Sequence, residues 1–409
     1  MKPVGPIPHG FSTLEGELAI GGRRASALVA EAGDTPVFVY SGGMIRQRMC
    51  DLRAAMPDRL KIHYAMKANP FAPLLVLMRD LVDGFDVASA GELEQALAAG
   101  VDPATVSFAG PGKRDAELEL ALRHGVTINL ESAGEARRAL GIADRLGVAP
   151  RMAIRVNPDF ELRGSGMKMG GGAKPFGVDQ DRIAPLAREV IGAGAEWRGL
   201  HVYTGSQALD AQAVAETQAN VLALAVRLTE EIGAPLPHLN LGGGFGIPYF
   251  HGDTPLDIRL VGEALADRIA ALPELGDTEL AIELGRYLVG EAGVYLTRVV
   301  DRKESHGVIF LVTDGGLHHQ LAASGNFGTV VRRNYPAAIA SRFGAEPVED
   351  VSIVGCLCTP LDRLADNAAM PHAEAGDLVA VFCAGAYGAT ASPAAFLGQG
   401  PAREMLIEG

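Results

Sequence analysis

The chain is 409 residues long, enough for one large domain plus a smaller one. Apolar residues make up 48% and charged residues 21%, proportions that exclude disorder, collagen-like repeats and low-complexity scaffolds. A formal net charge of −13 opposes nonspecific contact with a phosphate backbone, so no nucleic-acid partner is expected.

In chain order, Met1-Lys2-Pro3-Val4-Gly5-Pro6 lacks the apolar core of a signal peptide. No apolar run approaches the roughly 18–20 residues that span a bilayer, so no membrane partner is expected. The four cysteines (Cys50, Cys356, Cys358, Cys383) include no C-x-x-C pair, which argues against a disulfide framework and a metal site. A reduced, cytoplasmic protein is the expectation. Residues 17–20 read as extended, and residues 1–35 are expected to join a β-rich domain.

From residue 35 to 285, short β-branched runs alternate with helical stretches. Strands are predicted at 62–66, 85–88, 106–109, 127–130, 152–156, 199–203, 238–241 and 280–283. Helices are predicted at 90–99, 113–124, 134–146, 182–191, 211–232 and 257–272. This rhythm matches a (β/α)8 TIM barrel over residues 36–286, with a doubly wound sheet as the second choice. Beyond 286 the helical period fades and strands are predicted at 293–300, 308–313, 351–354 and 378–382, giving a C-terminal β-rich, sandwich- or barrel-like domain over 287–409. The glycine-rich stretch 164–172 is the expected mobile loop.

In such a barrel the reactive groups gather at the C-terminal ends of the strands. Those ends carry Lys67, Asp86, a glycine run at 242–246 and Glu283. A lysine, an acid and a loop of backbone donors are what pyridoxal 5′-phosphate requires: an amine for its aldehyde, a carboxylate for its ring nitrogen and N–H groups for its phosphate. Each element alone has an ordinary explanation, as a rim lysine, a βα turn or a surface ion pair. Their conjunction carries the inference. Apolar neighbours of Lys67 are expected to desolvate it and lower its pKa.

The order and content of the motifs resemble the fold-type III pyridoxal-phosphate decarboxylases, the family of the diaminopimelate and ornithine enzymes. The matching segments are YAMKAN (64–69), FDVASAGEL (85–93), GLHVYTGSQ (199–207), NLGGGFGIPY (240–249), ELGR (283–286), CTPLD (358–362) and GAYG (385–388). The resemblance implies that Lys67 binds the cofactor aldehyde, that Glu283 faces the ring nitrogen, and that Asp86 lies near the lysine. It also implies that Ser206, Gly243, Gly244, Arg286 and Tyr387 surround the phosphate or the ring hydroxyl. Cys358 and Asp362 match residues that the family sends into a partner's active site, with the cysteine as proton donor, so a homodimer with shared sites is implied.

Two departures bear on the substrate. Where the family stacks a histidine on the ring this chain has Tyr203, with His201 two residues earlier on the same strand face. After Cys358 the family's acid for a distal ammonium is replaced by Thr359, which cannot compensate a buried cation. The segments DGGLHH (314–319), RRNYP (332–336) and SPAAFLG (392–398) resemble a subgroup that includes a glutamyl-carrier-protein decarboxylase of butirosin biosynthesis and exosortase-associated decarboxylases. The expected substrate is therefore an aminoacyl group on an acyl or peptidyl carrier protein, with Arg332 and Arg333 as a candidate docking patch. Arg333, Tyr335, Asp314, Thr359 and Asp362 are the candidate substrate-binding residues. Free meso-diaminopimelate remains the alternative, and a racemase is disfavoured by a carboxylate at 283.

Overall fold

The computed structural model describes residues 1–164, 166–325 and 332–409. Contacts divide the chain into two units: Met49–Gly246 with Leu256–Gly285, and Met1–Arg48 with Ile247–Pro255 and Arg286–Gly409.

The first unit is the expected barrel. Helix α1 (Gly42–Ala55), of which Met49–Ala55 belongs to this unit, leads into β1 (Leu60–Ala65), α2 (Ala72–Arg79), β2 (Gly84–Val87), α3 (Ala90–Ala98), β3 (Val106–Phe108), α4 (Asp115–His124), β4 (Thr127–Leu130), α5 (Ala133–Leu146), β5 (Arg151–Asn157), α6 (Ile183–Gly192), β6 (Glu196–Val202), α7 (Ala211–Ile232), β7 (His238–Gly243), α8 (Ile258–Ala270) and β8 (Glu279–Leu284). Every neighbouring pair of these strands is parallel, β8 pairs with β1, and β4 with β5 closes the ring. Local chemistry sets the helix ends. Ser89 and Ser132 accept from the amides of Glu92 and Glu135 at 3.1 Å, and Asp210 accepts from Gln212 and Ala213. Gly147 and Gly233 end α5 and α7 in the left-handed conformation.

The second unit is a mixed sheet organised on the long strand Gly293–Ser305. Its first half pairs with Val37–Ser41 and Leu378–Val381, and its second half with Val308–Thr313. Arg403–Ile407 extends the sheet beyond Val37–Ser41, and Glu349–Val354 and Arg363–Met370 extend it beyond Val308–Thr313. Leu18, Ile20, Leu28, Val37, Val39, Val294, Leu296, Phe382 and Ile407 form a buried cluster on it. A cut at residue 35 would leave Val37–Ser41 with the barrel, but its hydrogen bonds go to Gly293–Leu296 and Arg403–Ile407. A strand buried at every position reads the same in either setting, and only its partners distinguish them.

The glycine-rich stretch 164–172 includes Ser165, which lies outside the described residues; Met167–Lys168 pairs antiparallel with Gly205–Ser206. Among the described residues, no helix is long and apolar enough to cross a membrane.

Candidate active site

At the barrel mouth, Lys67 sits on the single turn Met66–Ala68 that follows β1, with the Tyr64 hydroxyl donating to the Asn69 carbonyl at 2.8 Å beneath it. Met66 and Ala68 are buried in the wall while Lys67 is exposed. The expected desolvation by its neighbours is therefore not seen: the lysine stays exposed between two buried side chains. The Lys67 ammonium lies 5.4 Å from the centroid of the Tyr203 ring, at the end of β6.

Glu283 closes the same end of the barrel from β8 and is 6% exposed. Its Oε2 lies 2.9 Å from His201 Nε2 and accepts from Asn240 Nδ2 at 3.1 Å. Burial alone would raise its pKa, but His201, Lys67 and Arg155 outweigh that and hold it down at about 2. The carboxylate is thus ionised inside the barrel, and it senses the charge of Lys67. His201 is occupied by Glu283, so the aromatic ring beside the lysine is that of Tyr203.

Asn240 also accepts from the Gly242 amide at 2.8 Å, tying the glycine loop to the acid. A Cβ at Gly243 would stand 1.8 Å from the Glu283 carbonyl oxygen, and one at Gly244 (φ +84°) would stand 2.4 Å from that of Gly205. The ends of β6, β7 and β8 approach backbone to backbone, which only glycine allows. Ser206 follows Gly205 in this rim.

Asp86, at the end of β2, is buried with both carboxylate oxygens lacking a hydrogen-bond partner among the described residues, and one lies 3.6 Å from His63 Nδ1. Burial opposes a protonated His63, but Asp86 and Glu283 prevail and raise its pKa. Glu92 is a site residue that the motif reading did not single out. Its carboxylate accepts from the Ala88 amide at 2.6 Å and feels Lys67, while burial raises its pKa. Arg155 was missed too. It donates to Glu131 at 2.9 Å, and Glu131 also accepts from the amides of Gly110 and Gly177. Alternation along β5 and β7 places Arg155 and Asn240 inside the barrel, and that was the available signal.

In the second unit, Arg286 donates to the Tyr249 hydroxyl at 2.8 Å and lies 5.4 Å and 4.8 Å from the ring centroids of Tyr249 and Tyr387. Its buried Nε has no hydrogen-bond partner among the described residues. Burial pushes the Tyr249 phenol up to about 12. Tyr335 is 6% exposed, with ring centroids of Tyr249 at 4.6 Å and Phe250 at 5.5 Å. It packs inside an aromatic cluster and is not presented for binding as expected. Arg333 lies 3.8 Å from the Phe250 ring centroid and 3.9 Å from Asp253, and Arg332 donates to the Arg363 carbonyl. This is poorly suited to the free basic patch expected at 332–333.

Two expected substrate contacts are corrected. The Asp314 carboxylate accepts from the hydroxyls of Thr35 and Thr297 and from the Arg298 amide. Asp362 is 2% exposed, and its oxygens accept from the amides of Leu317 and Leu357. Both acids are committed to the fold. Cys358 is exposed and Thr359 half-buried on the loop between them.

Comparison with known proteins accords with this geometry. Residues 42–290 match the family model described as pyridoxal-dependent decarboxylase, pyridoxal binding domain. The L-glutamyl-[BtrI acyl-carrier protein] decarboxylase of Niallia circulans is 37% identical over 380 residues, covering 91% of this chain and 89% of its own. The diaminopimelate decarboxylase of Methanothermobacter thermautotrophicus is 32% identical over 411 residues, covering 97% and 92%. Among solved structures, the M. jannaschii diaminopimelate decarboxylase in co-complex with L-lysine superposes with a TM-score of 0.86 at 26% identity, covering 98% of this chain and 93% of that one. The chain therefore belongs to the pyridoxal-dependent decarboxylases, enzymes that use pyridoxal 5′-phosphate to remove the carboxylate of an amino acid.

Proposed function

We propose that this enzyme decarboxylates an aminoacyl group tethered to a carrier protein, working as a homodimer whose subunits share active sites. The residues present suit the cofactor. Glu283 is a buried acid that stays ionised, and among the described residues the Asp86 oxygens and the buried Arg286 Nε have no hydrogen-bond partner. In this reading Lys67 holds the cofactor aldehyde through Nζ, Asp86 orients that amine, and the Tyr203 face packs on the ring. Gly243, Gly244, Ser206, Arg286 and Tyr387 hold the phosphate and ring hydroxyl. When bound, pyridoxal phosphate accepts the electron pair released as the carboxylate leaves. Glu283 would keep a proton on the ring nitrogen, a preorganised charge interaction from a buried carboxylate. The partner's Cys358 gives a proton to the substrate α-carbon. Leu361 is 56% exposed beside that cysteine, apolar surface suited to burial against a second copy.

The observation that carries the tethered-substrate reading is the lack of an available carboxylate on the Cys358 loop and its neighbour. Among the described residues at 314–319 and 355–362 the acids are Asp314 and Asp362, both committed, and Thr359 is neutral. A distal ammonium buried there would lack a counter-charge, at a cost of several kcal/mol. The similarity to a relative that acts on a carrier-bound glutamyl group supports the same reading. The test is kcat/KM on L-glutamyl carrier-protein thioester against free glutamate, ornithine, lysine and meso-diaminopimelate. Preference for the thioester is expected. Turnover of free diaminopimelate at equal or higher kcat/KM would overturn the proposal in favour of the lysine-forming activity named for other relatives.

A further inference from the structure

We infer that Asp362 is a positioning residue: its carboxylate clamps the Cys358 loop to the loop at 314–320 and so sets where the thiol points. The inference rests on the reading of Cys358 as proton donor. Asp362 closes its own loop three times. Its carbonyl accepts from the Gly355 amide at 3.1 Å, its amide donates to the Thr359 carbonyl at 3.2 Å, and its Oδ2 accepts from the Leu357 amide at 2.9 Å. Its Oδ1 reaches the second loop, accepting from the Leu317 amide at 2.7 Å. Each oxygen thus holds one loop, and Cys358 is the residue immediately after one of the two donors.

The glycines around this carboxylate show that the fold is shaped for it. A Cβ at Gly316 or at Gly355 would stand 2.2 Å from an Asp362 oxygen. One glycine from each loop therefore leaves room for the same side chain. The second loop is itself anchored, because the Thr313 hydroxyl lies within hydrogen-bond distance of the Gly315 and Val354 carbonyls, and Asp314 is held by Thr297 and Arg298. Through Asp362 the Cys358 loop is fastened to a support anchored on the β-sheet. An amide at 362 would turn one acceptor into a donor facing an N–H, so one of the two loops must let go.

The test compares Asp362→Asn, Gly316→Ala and Cys358→Ala holoenzymes, all in a Cys356→Ser background. Two quantities are measured: steady-state kcat and KM, and the alkylation rate of Cys358 by iodoacetamide, located by peptide mass spectrometry. Asp362→Asn should lower kcat about tenfold or more with KM changed less than about threefold, and should raise Cys358 alkylation several-fold. Gly316→Ala keeps the charge but displaces the second loop, and should give the same pair of changes. It also decides the question if the asparagine variant does not fold. Unchanged alkylation in the folded variants would overturn the positioning role, whether or not kcat falls. If Cys358→Ala keeps its kcat, the proton-donor reading fails, while the alkylation rates still decide whether Asp362 orients the thiol.

Discussion

Replacing Glu283 with glutamine removes one charge from the barrel while keeping its shape. The size of the effect follows from the environment. His201, Lys67 and Arg155 overcome burial and bring the carboxylate from its ordinary 4.5 to about 2. That difference amounts to about 3 kcal/mol favouring the ionised form. In the proposed site a protonated ring nitrogen would be one more cation against this buried carboxylate, and a hydrogen bond between charged groups contributes about 1.5–3 kcal/mol. Where the interaction counts mainly in the transition state, about 3 kcal/mol is roughly a hundredfold in kcat. The assay is carbon dioxide release at saturating cofactor, with cofactor affinity titrated separately by near-ultraviolet absorbance. Removing only the His201 contact, by His201→Asn, leaves the Asn240 bond in place and should cost about tenfold. A Glu283→Gln enzyme within threefold of the parent kcat would refute the reasoning, since an ionised acid would then contribute nothing beyond its hydrogen bonds.

Four further outcomes are expected. Lys67→Ala should purify without the near-ultraviolet band of the parent, and borohydride should fix the cofactor on Lys67 in the parent alone; label on another lysine would contradict this. Tyr203→Phe should hold the cofactor as the parent does, whereas Tyr203→Ala should bind it about tenfold more weakly, because the proposed packing uses the ring face and not the hydroxyl. Because folding lowers the Glu283 pKa, its stabilisation is present above about pH 4.5 and is lost as pH falls towards 2. Urea midpoints between pH 5 and 3 should accordingly fall more for the parent than for Glu283→Gln, and parallel curves would argue against the shift. Gly262→Ala would bring a Cβ to 1.8 Å from the Ala55 carbonyl oxygen, so Tm should drop by an amount matching about 2–4 kcal/mol.

The barrel and the identity of its mouth were legible in the linear chain because they rest on local regularities. Strands and helices announce themselves by period, and strand ends are where a barrel presents its chemistry. Lys67, Asp86, Gly243, Gly244 and Glu283 could therefore be picked out, and the structure gathers them on one barrel. Commitments between distant segments were not legible. Tyr203 and His201 share a strand face, and only the closed ring of strands puts Glu283 against the histidine, leaving the tyrosine for Lys67. Asp314 and Asp362 read as candidate substrate-binding residues, yet the amides and hydroxyls that engage them arrive from residues 35, 297, 298, 317 and 357. Val37–Ser41 has the composition of a barrel strand and belongs to the other sheet, because Gly293–Leu296 and Arg403–Ile407 supply its hydrogen bonds. The amino-acid order determines which side chains can do chemistry; which of them remain free to do it depends on donors and acceptors that meet only when remote strands pair.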